Sequence, residues 1–151
     1  MDIIIASESQ APVAVVELGA FGSSDSRMSG KDLFLGYIKA YNAKDVSGML
    51  ALFDEACVFE NISAGKVTVR TEGKAELEAL ARSSAEAFAS REQKVLSVTE
   101  EDGRIVAEID YQAVLQRDLS PDLKAGSELK LRGISIFEFS GGKIVRLSDY
   151  S

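Results

Sequence analysis

The sequence predicts one α+β domain in which helices are followed by a largely antiparallel sheet. Three observations lead to this prediction. Apolar residues recur at helical spacing in three segments between residues 31 and 90, and strand-like segments dominate from residue 94 onward. The pairs Asp102-Gly103 and Gly141-Gly142 mark tight turns between the later strands. In a chain of 151 residues this order favours a single α+β domain.

The three predicted helices are recognised by their apolar stripes and by the residues that bound them. The first covers 31–43, and its stripe consists of Leu33, Phe34, Tyr37, Ile38 and Tyr41. Asp45 caps the second helix, whose stripe runs from Val46 to Phe53. The third helix follows Gly73 and extends from Lys74 to about residue 90.

Six strands complete the predicted domain. A strand over 57–62 and a short one over 67–70 are joined by a turn at 64–66. After the third helix, strands are predicted over 94–98, 105–115, 128–139 and 143–150. The loop over 118–126, which contains Pro121 and Gly126, joins two of the long strands.

The charge balance and the single cysteine exclude several classes of function. The net charge is -7, from 24 acidic and 17 basic side chains, whereas nucleic-acid or anionic-lipid binding requires a basic face. We therefore expect neither partner. Cys57 is the only cysteine, so no internal disulfide forms, and its apolar neighbours favour a buried, inert thiol.

The chain contains no histidine, which restricts its chemistry. A Ser-His-Asp triad, a Cys-His pair and every His-ligated metal site are excluded. Proton transfer must then depend on carboxylates, tyrosine, lysine or the lone cysteine. No EF-hand spacing is present, and we expect neither a metal nor a cofactor.

Residues 1–29 differ from the rest and are interpreted as an N-terminal extension, with the domain itself over 30–151. An apolar stretch over 12–22 precedes a flexible Gly-Ser spacer, which suggests an extra strand or an arm laid on a partner. No segment is long and apolar enough for a membrane span, and the start lacks the positive region of a secretory signal. We expect a cytoplasmic protein.

Three stretches of the chain resemble the NTF2-like superfamily. They are 36–45 (GYIKAYNAKD), 52–61 (LFDEACVFEN) and 137–145 (FEFSGGKIV). The resemblance covers about residues 29–151 of a superfamily that includes ketosteroid isomerases, SnoaL-type polyketide cyclases and limonene-epoxide hydrolases. It implies a cystatin-like cone, in which N-terminal helices pack on a strongly curved, mostly antiparallel sheet around one pocket. It also implies a homodimer.

Strand alternation predicts which side chains face that pocket. Phe59 and Asn61 share one face of the first strand, and Leu147 and Asp149 share one face of the last. On the strand over 105–115, one face is apolar and the other is mixed. We expect the mixed face to line the pocket, and it carries Val106, Glu108, Asp110, Gln112 and Val114.

The resemblance also implies roles for individual residues. Ketosteroid isomerases place their catalytic Asp where this chain has Asn61, an acid where it has Ser135, and a helix tyrosine where it has Tyr37. The missing base makes that isomerisation improbable. SnoaL-type cyclases depend on an acid–base Asp in a hydrophobic pocket, and Asp149 resembles it.

Epoxide hydrolases match more positions. Asn61, Asp110 and Asp149 occupy the places of the residues that hold the water and protonate the epoxide. Phe59 stands in place of a water-holding Tyr, and Glu108 in place of an Arg that links the two Asp.

Two functions from different classes follow from these comparisons. The first is a cofactor-free hydrolase, cyclase or isomerase acting on a hydrophobic small molecule. Its catalytic residues would be Asp149, Asp110 and Asn61, and its substrate contacts Tyr37, Phe59, Glu108, Ser135 and Leu147. The alternative is a non-catalytic ligand-binding or dimerisation module. Carboxylates that converge in a closed pocket favour the enzyme, and acids outside an apolar pocket favour the module.

Overall fold

The computed structural model of the protein describes residues 29–151 and has three helices and six strands in that range. In chain order the elements are α1 (Gly30–Asn42), α2 (Val46–Leu50), β1 (Phe53–Ser63), β2 (Lys66–Glu72), α3 (Lys74–Ala87), β3 (Phe88–Glu101), β4 (Arg104–Leu115), β5 (Glu128–Ser140) and β6 (Lys143–Tyr150). The predicted α+β class is confirmed. The extension predicted over 1–29 lies outside the described residues, apart from Ser29, and stays a prediction.

Side-chain caps fix where the first two helices begin. The Ser29 hydroxyl accepts a hydrogen bond from the Asp32 backbone N–H at 3.1 Å, and the Asp32 carboxylate accepts one from the Ser29 N–H at 3.4 Å. This reciprocal pair satisfies donors that have no partner inside the helix. Asp45 accepts from the Gly48 N–H at 2.9 Å and caps α2, as its position in the sequence predicts.

Two predicted helix ends are wrong, and in both cases an aromatic residue begins a strand instead. Phe53 pairs with Ile144 of β6, and Phe88 pairs with Leu115 of β4. Both rings are about 1% exposed. Sheet pairing and burial therefore override the helical spacing that extended each helix to these residues. Within residues 29–151, no helix is long and apolar enough to cross a membrane.

The six strands form one curved sheet in the order β2-β1-β6-β5-β4-β3. All neighbours are antiparallel except β1 and β6, which run parallel. The predicted turns at Asp102-Gly103 and Gly141-Gly142 join β3 to β4 and β5 to β6, and all four residues have positive φ. Such angles are typical of the two-residue turns whose twist matches a hairpin.

The helices cover one face of the sheet, called here the inner face, and the apolar side of β4 lies on it. That side consists of Ile105, Ala107, Ile109, Tyr111 and Ala113, each at most 4% exposed. The expectation that the mixed side of β4 lines the interior is wrong. Burying the apolar side removes more hydrocarbon from water, while the charged side chains of the mixed side stay hydrated on the outer face.

Candidate functional site

One row of side chains crosses the inner face of all six strands. The strand register places in this row, from β2 to β3, Val69, Asn61, Asp149, Ser135, Ala107 and Val98. Paired residues on neighbouring strands point to the same face of a sheet. Two pocket residues predicted from alternation, Asn61 and Asp149, are therefore neighbours, and Ser135 lies on the other side of Asp149.

Asp149 is a buried carboxylate at the centre of this row. It is 1% exposed, and its Oδ1 accepts a hydrogen bond from the Ser135 hydroxyl at 2.7 Å. A carboxylate withdrawn from water needs such donors, because an unpaired buried charge is strongly destabilising. The Ser135 contact also fixes the rotation of the carboxylate plane, so Asp149 has a defined orientation toward the interior.

Asn61 supplies a second acceptor beside the carboxylate. Its Nδ2 donates to the Thr68 hydroxyl at 2.9 Å, and that hydroxyl in turn donates to the Asn61 carbonyl at 3.1 Å. The Thr68 hydroxyl donates its only proton to the Asn61 backbone carbonyl, so it can only accept a hydrogen bond from the Asn61 side chain. The Asn61 amide nitrogen must therefore face Thr68. Asn61 Oδ1 is then left buried with no hydrogen-bond partner in the described part of the chain.

Apolar side chains form the next row on the inner face. Phe59, Leu147, Phe137 and Ile105 are cross-strand neighbours and are all about 0% exposed. Tyr37 of α1 packs over this row, with its ring centroid 5.2 Å from that of Phe137. The predicted contact residues Tyr37, Phe59 and Leu147 therefore lie on the same side of the sheet as Asp149.

Small residues lie on the opposite side of the Asp149 row. Gly133 lies two residues before Ser135 on the inner face of β5, and its cross-strand partner on β4 is the larger Ile109. Ser63 and Ser151 lie two residues beyond Asn61 and Asp149, with their hydroxyl oxygens 3.5 Å apart. Gly133, Ser63 and Ser151 fill less of the space above the sheet than leucines or phenylalanines would.

Asp110 and Glu108 lie on the outer face, away from Asp149, so the expected convergence of three carboxylates is wrong. The cross-strand neighbours of Asp110 are two bases, Lys94 and Arg132. Glu108 accepts a hydrogen bond from Arg132 at 3.1 Å, and its side chain is 41% exposed. Both acids are half-buried at the surface, where hydration and neighbouring bases stabilise their charge.

Sequence reasoning missed Thr68, Gly133 and Ala107. Thr68 lies at an irregularity in the pairing of β1 with β2, so simple alternation gives no face for it. Gly133 and Ala107 carry no chemistry of their own and become informative only when the register places them beside Asp149. In residues 29–151, no three Cys, Asp or Glu side chains are grouped as ligands for a metal ion.

Burial raises the pKa of the Cys57 thiol, which lies in the core at 1% exposure. The protonated thiol is a poor nucleophile. We expect the native protein to react slowly with DTNB at pH 8, and to release one equivalent of thionitrobenzoate once guanidinium unfolds it. Full reaction of the native protein within the mixing time would contradict this prediction.

A family model described as "SnoaL-like domain" matches residues 34–147, which is more than half of the chain. No curated protein sequence matches the chain significantly. The structural matches below, all under 25% identical, concern the fold alone.

Two of the matching solved structures are provisionally described as polyketide cyclases. The one from Xanthomonas campestris pv. campestris is 22% identical, with a TM-score of 0.70 over 80% of this chain and 88% of its own. The one from Pseudomonas putida is 24% identical, with a TM-score of 0.67 over 82% and 92% of the two chains.

A third match is an uncharacterised cystatin-fold protein from Novosphingobium aromaticivorans. It is 16% identical, with a TM-score of 0.66 over 82% of this chain and 99% of its own. Together with the family model, these structures confirm the resemblance to the NTF2-like superfamily.

Proposed function

The chain belongs to the SnoaL-like domain family, and from this premise we propose that it is a cofactor-independent acid–base enzyme with Asp149 as its base. Its substrate is a hydrophobic small molecule with an enolisable carbonyl group. The observation that carries the proposal is the pair of acceptors at the centre of the inner face. Asp149 is held there by Ser135, among buried apolar side chains, beside Asn61 Oδ1, which has no partner among residues 29–151.

Two adjacent acceptors suit a ligand that offers an acidic proton. Asn61 Oδ1 lacks a donor within the described residues, and leaving a buried acceptor unpaired is costly. An enol or hydroxyl group of a ligand satisfies it. Phe59 and Leu147 supply the apolar surface that binds the hydrocarbon part of such a molecule.

The reaction follows from this arrangement. The Asp149 carboxylate takes a proton from the carbon next to the carbonyl, and the C–H electron pair moves into the carbonyl to give an enolate. In a cyclase, the enolate carbon attacks a second carbonyl of the same molecule, and the new alkoxide recovers the proton from Asp149. In an isomerase, the proton returns to another carbon. One carboxylate is sufficient in both cases.

Epoxide hydrolysis has less support than proton abstraction from carbon. That reaction uses two Asp side chains at one site, and the family resemblance matched them to Asp110 and Asp149. Because Asp110 lies on the outer face beside Lys94 and Arg132, it does not share a site with Asp149. The outer positions of Asp110 and Glu108 favour the ligand-binding module, whereas the buried Asp149 supports an enzyme. Among enzymatic reactions we therefore favour cyclase- or isomerase-like chemistry.

Deuterium exchange into 2-tetralone tests the proposal without knowledge of the natural substrate. This bicyclic ketone is hydrophobic and has acidic protons at C1. The protein should accelerate loss of the C1 proton signal in D₂O well above the buffer rate, as measured by ¹H NMR. If saturation transfer detects binding of 2-tetralone but the exchange is not accelerated, the protein is a ligand-binding module and not an enzyme. If the protein does not bind 2-tetralone and does not accelerate its exchange, the proposal is overturned.

Two further expectations belong to the same proposal. The family resemblance suggests a homodimer, and the single cysteine fits a cytoplasmic protein. Neither is needed for the chemistry, because Asp149, Asn61 and Ser135 come from a single chain.

A further inference from the structure

The side-chain amide of Gln93 is buried and has no hydrogen-bond partner among residues 29–151. It lies on β3 and is 2% exposed, and neither its Oε1 nor its Nε2 is paired in the described structure. A buried amide that loses its bonds to water and gains none in exchange destabilises the fold. Such a residue in a packed interior calls for an explanation, and an absent hydrogen-bonding group is the simplest one.

The backbone around Gln93 is held so that its side chain points inward. The Gln93 N–H donates to Asn42 Oδ1 at 2.7 Å, and Asn42 Nδ2 donates to the Gln93 carbonyl at 3.0 Å. The cross-strand neighbour of Gln93 is Tyr111 of the inner face. The Tyr111 hydroxyl accepts a hydrogen bond from the Tyr41 hydroxyl at 3.1 Å, so a second polar cluster exists on this face.

Gln93 lies across the sheet from Asp149. Asp149 is on β6 and Gln93 is on β3, three strands away. The cross-strand row that contains Asp149 reaches β4 at Ala107, and the row that contains Gln93 reaches β4 at Tyr111. The two rows are therefore offset along β4 by the distance from Ala107 to Tyr111. In a flat sheet this offset places the two Cα atoms about 20 Å apart, and curvature shortens it. Between the two rows lie Gly133 of β5 and its cross-strand partner Ile109 of β4, which is about 0% exposed.

We infer that Gln93 is a second polar contact for the substrate, and that the substrate is an elongated, mostly apolar carbonyl compound with a further oxygen function at its far end. The inference rests on the proposed function, since it assumes that the near end meets Asp149. An amide both donates and accepts, so its best complement is a hydroxyl or a carboxylic acid. A far-end hydroxyl would then satisfy an amide that has no partner among residues 29–151.

Two matched probes test this inference. 2-Hydroxyanthraquinone carries one hydroxyl, which stands for the enol, and 2,6-dihydroxyanthraquinone adds a second at the opposite end of the same rings. Titrations are followed by absorbance with the wild type and with Gln93→Met, Gln112→Met and Asp149→Asn. Gln112 is the matched control, because it is an exposed glutamine on the outer face of β4.

We expect the wild type to bind the dihydroxy probe about tenfold more tightly than the monohydroxy probe, the effect of one good hydrogen bond. In Gln93→Met this preference should fall to the small statistical factor that remains because either end of the symmetric dihydroxy probe can bind at Asp149. Gln112→Met should keep the full preference. A preference that survives in Gln93→Met would overturn the inference, while weaker binding of both probes by Asp149→Asn would leave the proposed function standing. Failure of both probes to bind the wild type would overturn both.

Thermal stability gives a readout that needs no ligand. Methionine has nearly the length of glutamine and no polar group, so Gln93→Met removes an unpaired amide without opening a cavity. Its Tm should rise by about 3–6 °C, and the Tm of Gln112→Met should stay close to that of the wild type. A lower Tm for Gln93→Met would mean that the amide stabilises the fold and is not reserved for a ligand.

Discussion

Replacing Asp149 by asparagine should slow the exchange of 2-tetralone by about 10²–10⁴-fold, the usual contribution of a positioned base. Asparagine has nearly the same shape as aspartate, and its Oδ1 can still accept the hydrogen bond from Ser135. Only the ability to take a proton is lost. Exchange rates from ¹H NMR at one pH, with the circular dichroism spectrum of each variant, separate this loss from unfolding.

Asp110→Asn is the matched control for this experiment. The substitution is identical, but Asp110 lies on the outer face between Lys94 and Arg132. Its exchange rate should equal that of the wild type. If Asp110→Asn lost as much activity as Asp149→Asn, the outer face would have to take part in the reaction, and the single-carboxylate mechanism would be wrong.

Phe137→Ala should cost about 3–5 kcal/mol of the free energy of unfolding. The Phe137 ring is about 0% exposed and lies 5.2 Å, between ring centroids, from both Phe34 and Tyr37 of α1. Truncation leaves a cavity where the first helix meets the sheet, and the neighbouring rings cannot fill it without leaving their rotamers. Urea unfolding followed by circular dichroism measures the loss.

Phe139→Ala provides the comparison on the same strand. This ring stacks on Phe137 with centroids 6.3 Å apart, but it is only half-buried. Because water already reaches part of the ring, its loss should cost less, on the order of 1–2 kcal/mol. Equal losses for the two variants would show that Phe137 is not the main contact between α1 and the sheet.

The sequence predicts the helices and hairpins well because their signals are local. Asp45 stands where a cap is needed, and the glycine-containing pairs at 102–103 and 141–142 stand where the backbone needs positive φ. The same reasoning failed at Phe53 and Phe88. Both fit the helical stripes, and only contacts with distant strands place them in the sheet.

Alternation along a strand predicts which residues share a face, but not which face is inside. For β1 and β6, the side carrying Phe59, Asn61, Leu147 and Asp149 is the inner one, as expected. For β4, the polar side resembled a pocket wall but lies outside. The parallel pairing of β1 with β6, which brings Asn61 next to Asp149, is a long-range contact without a local signal.

Gln93 shows a different limit of sequence reasoning. The strand was predicted to begin at Lys94, whereas β3 begins at Phe88. Gln93 therefore fell outside every predicted element and received no face. The signal was present in the alternation of Glu92 and Lys94 with Gln93 and Val95, where charge marks the outer side. The missing hydrogen bonds of its amide are visible only in three dimensions.

A crystal structure of the protein with 2-naphthol tests the role of Asp149 most directly. This phenol has the shape of the enol of 2-tetralone and cannot react further. If Asp149 is the base, the naphthol hydroxyl should lie within hydrogen-bond distance of its carboxylate and of Asn61 Oδ1, with the rings against Phe59 and Leu147. A naphthol bound elsewhere, without contact to Asp149 or Asn61, would contradict the proposed site.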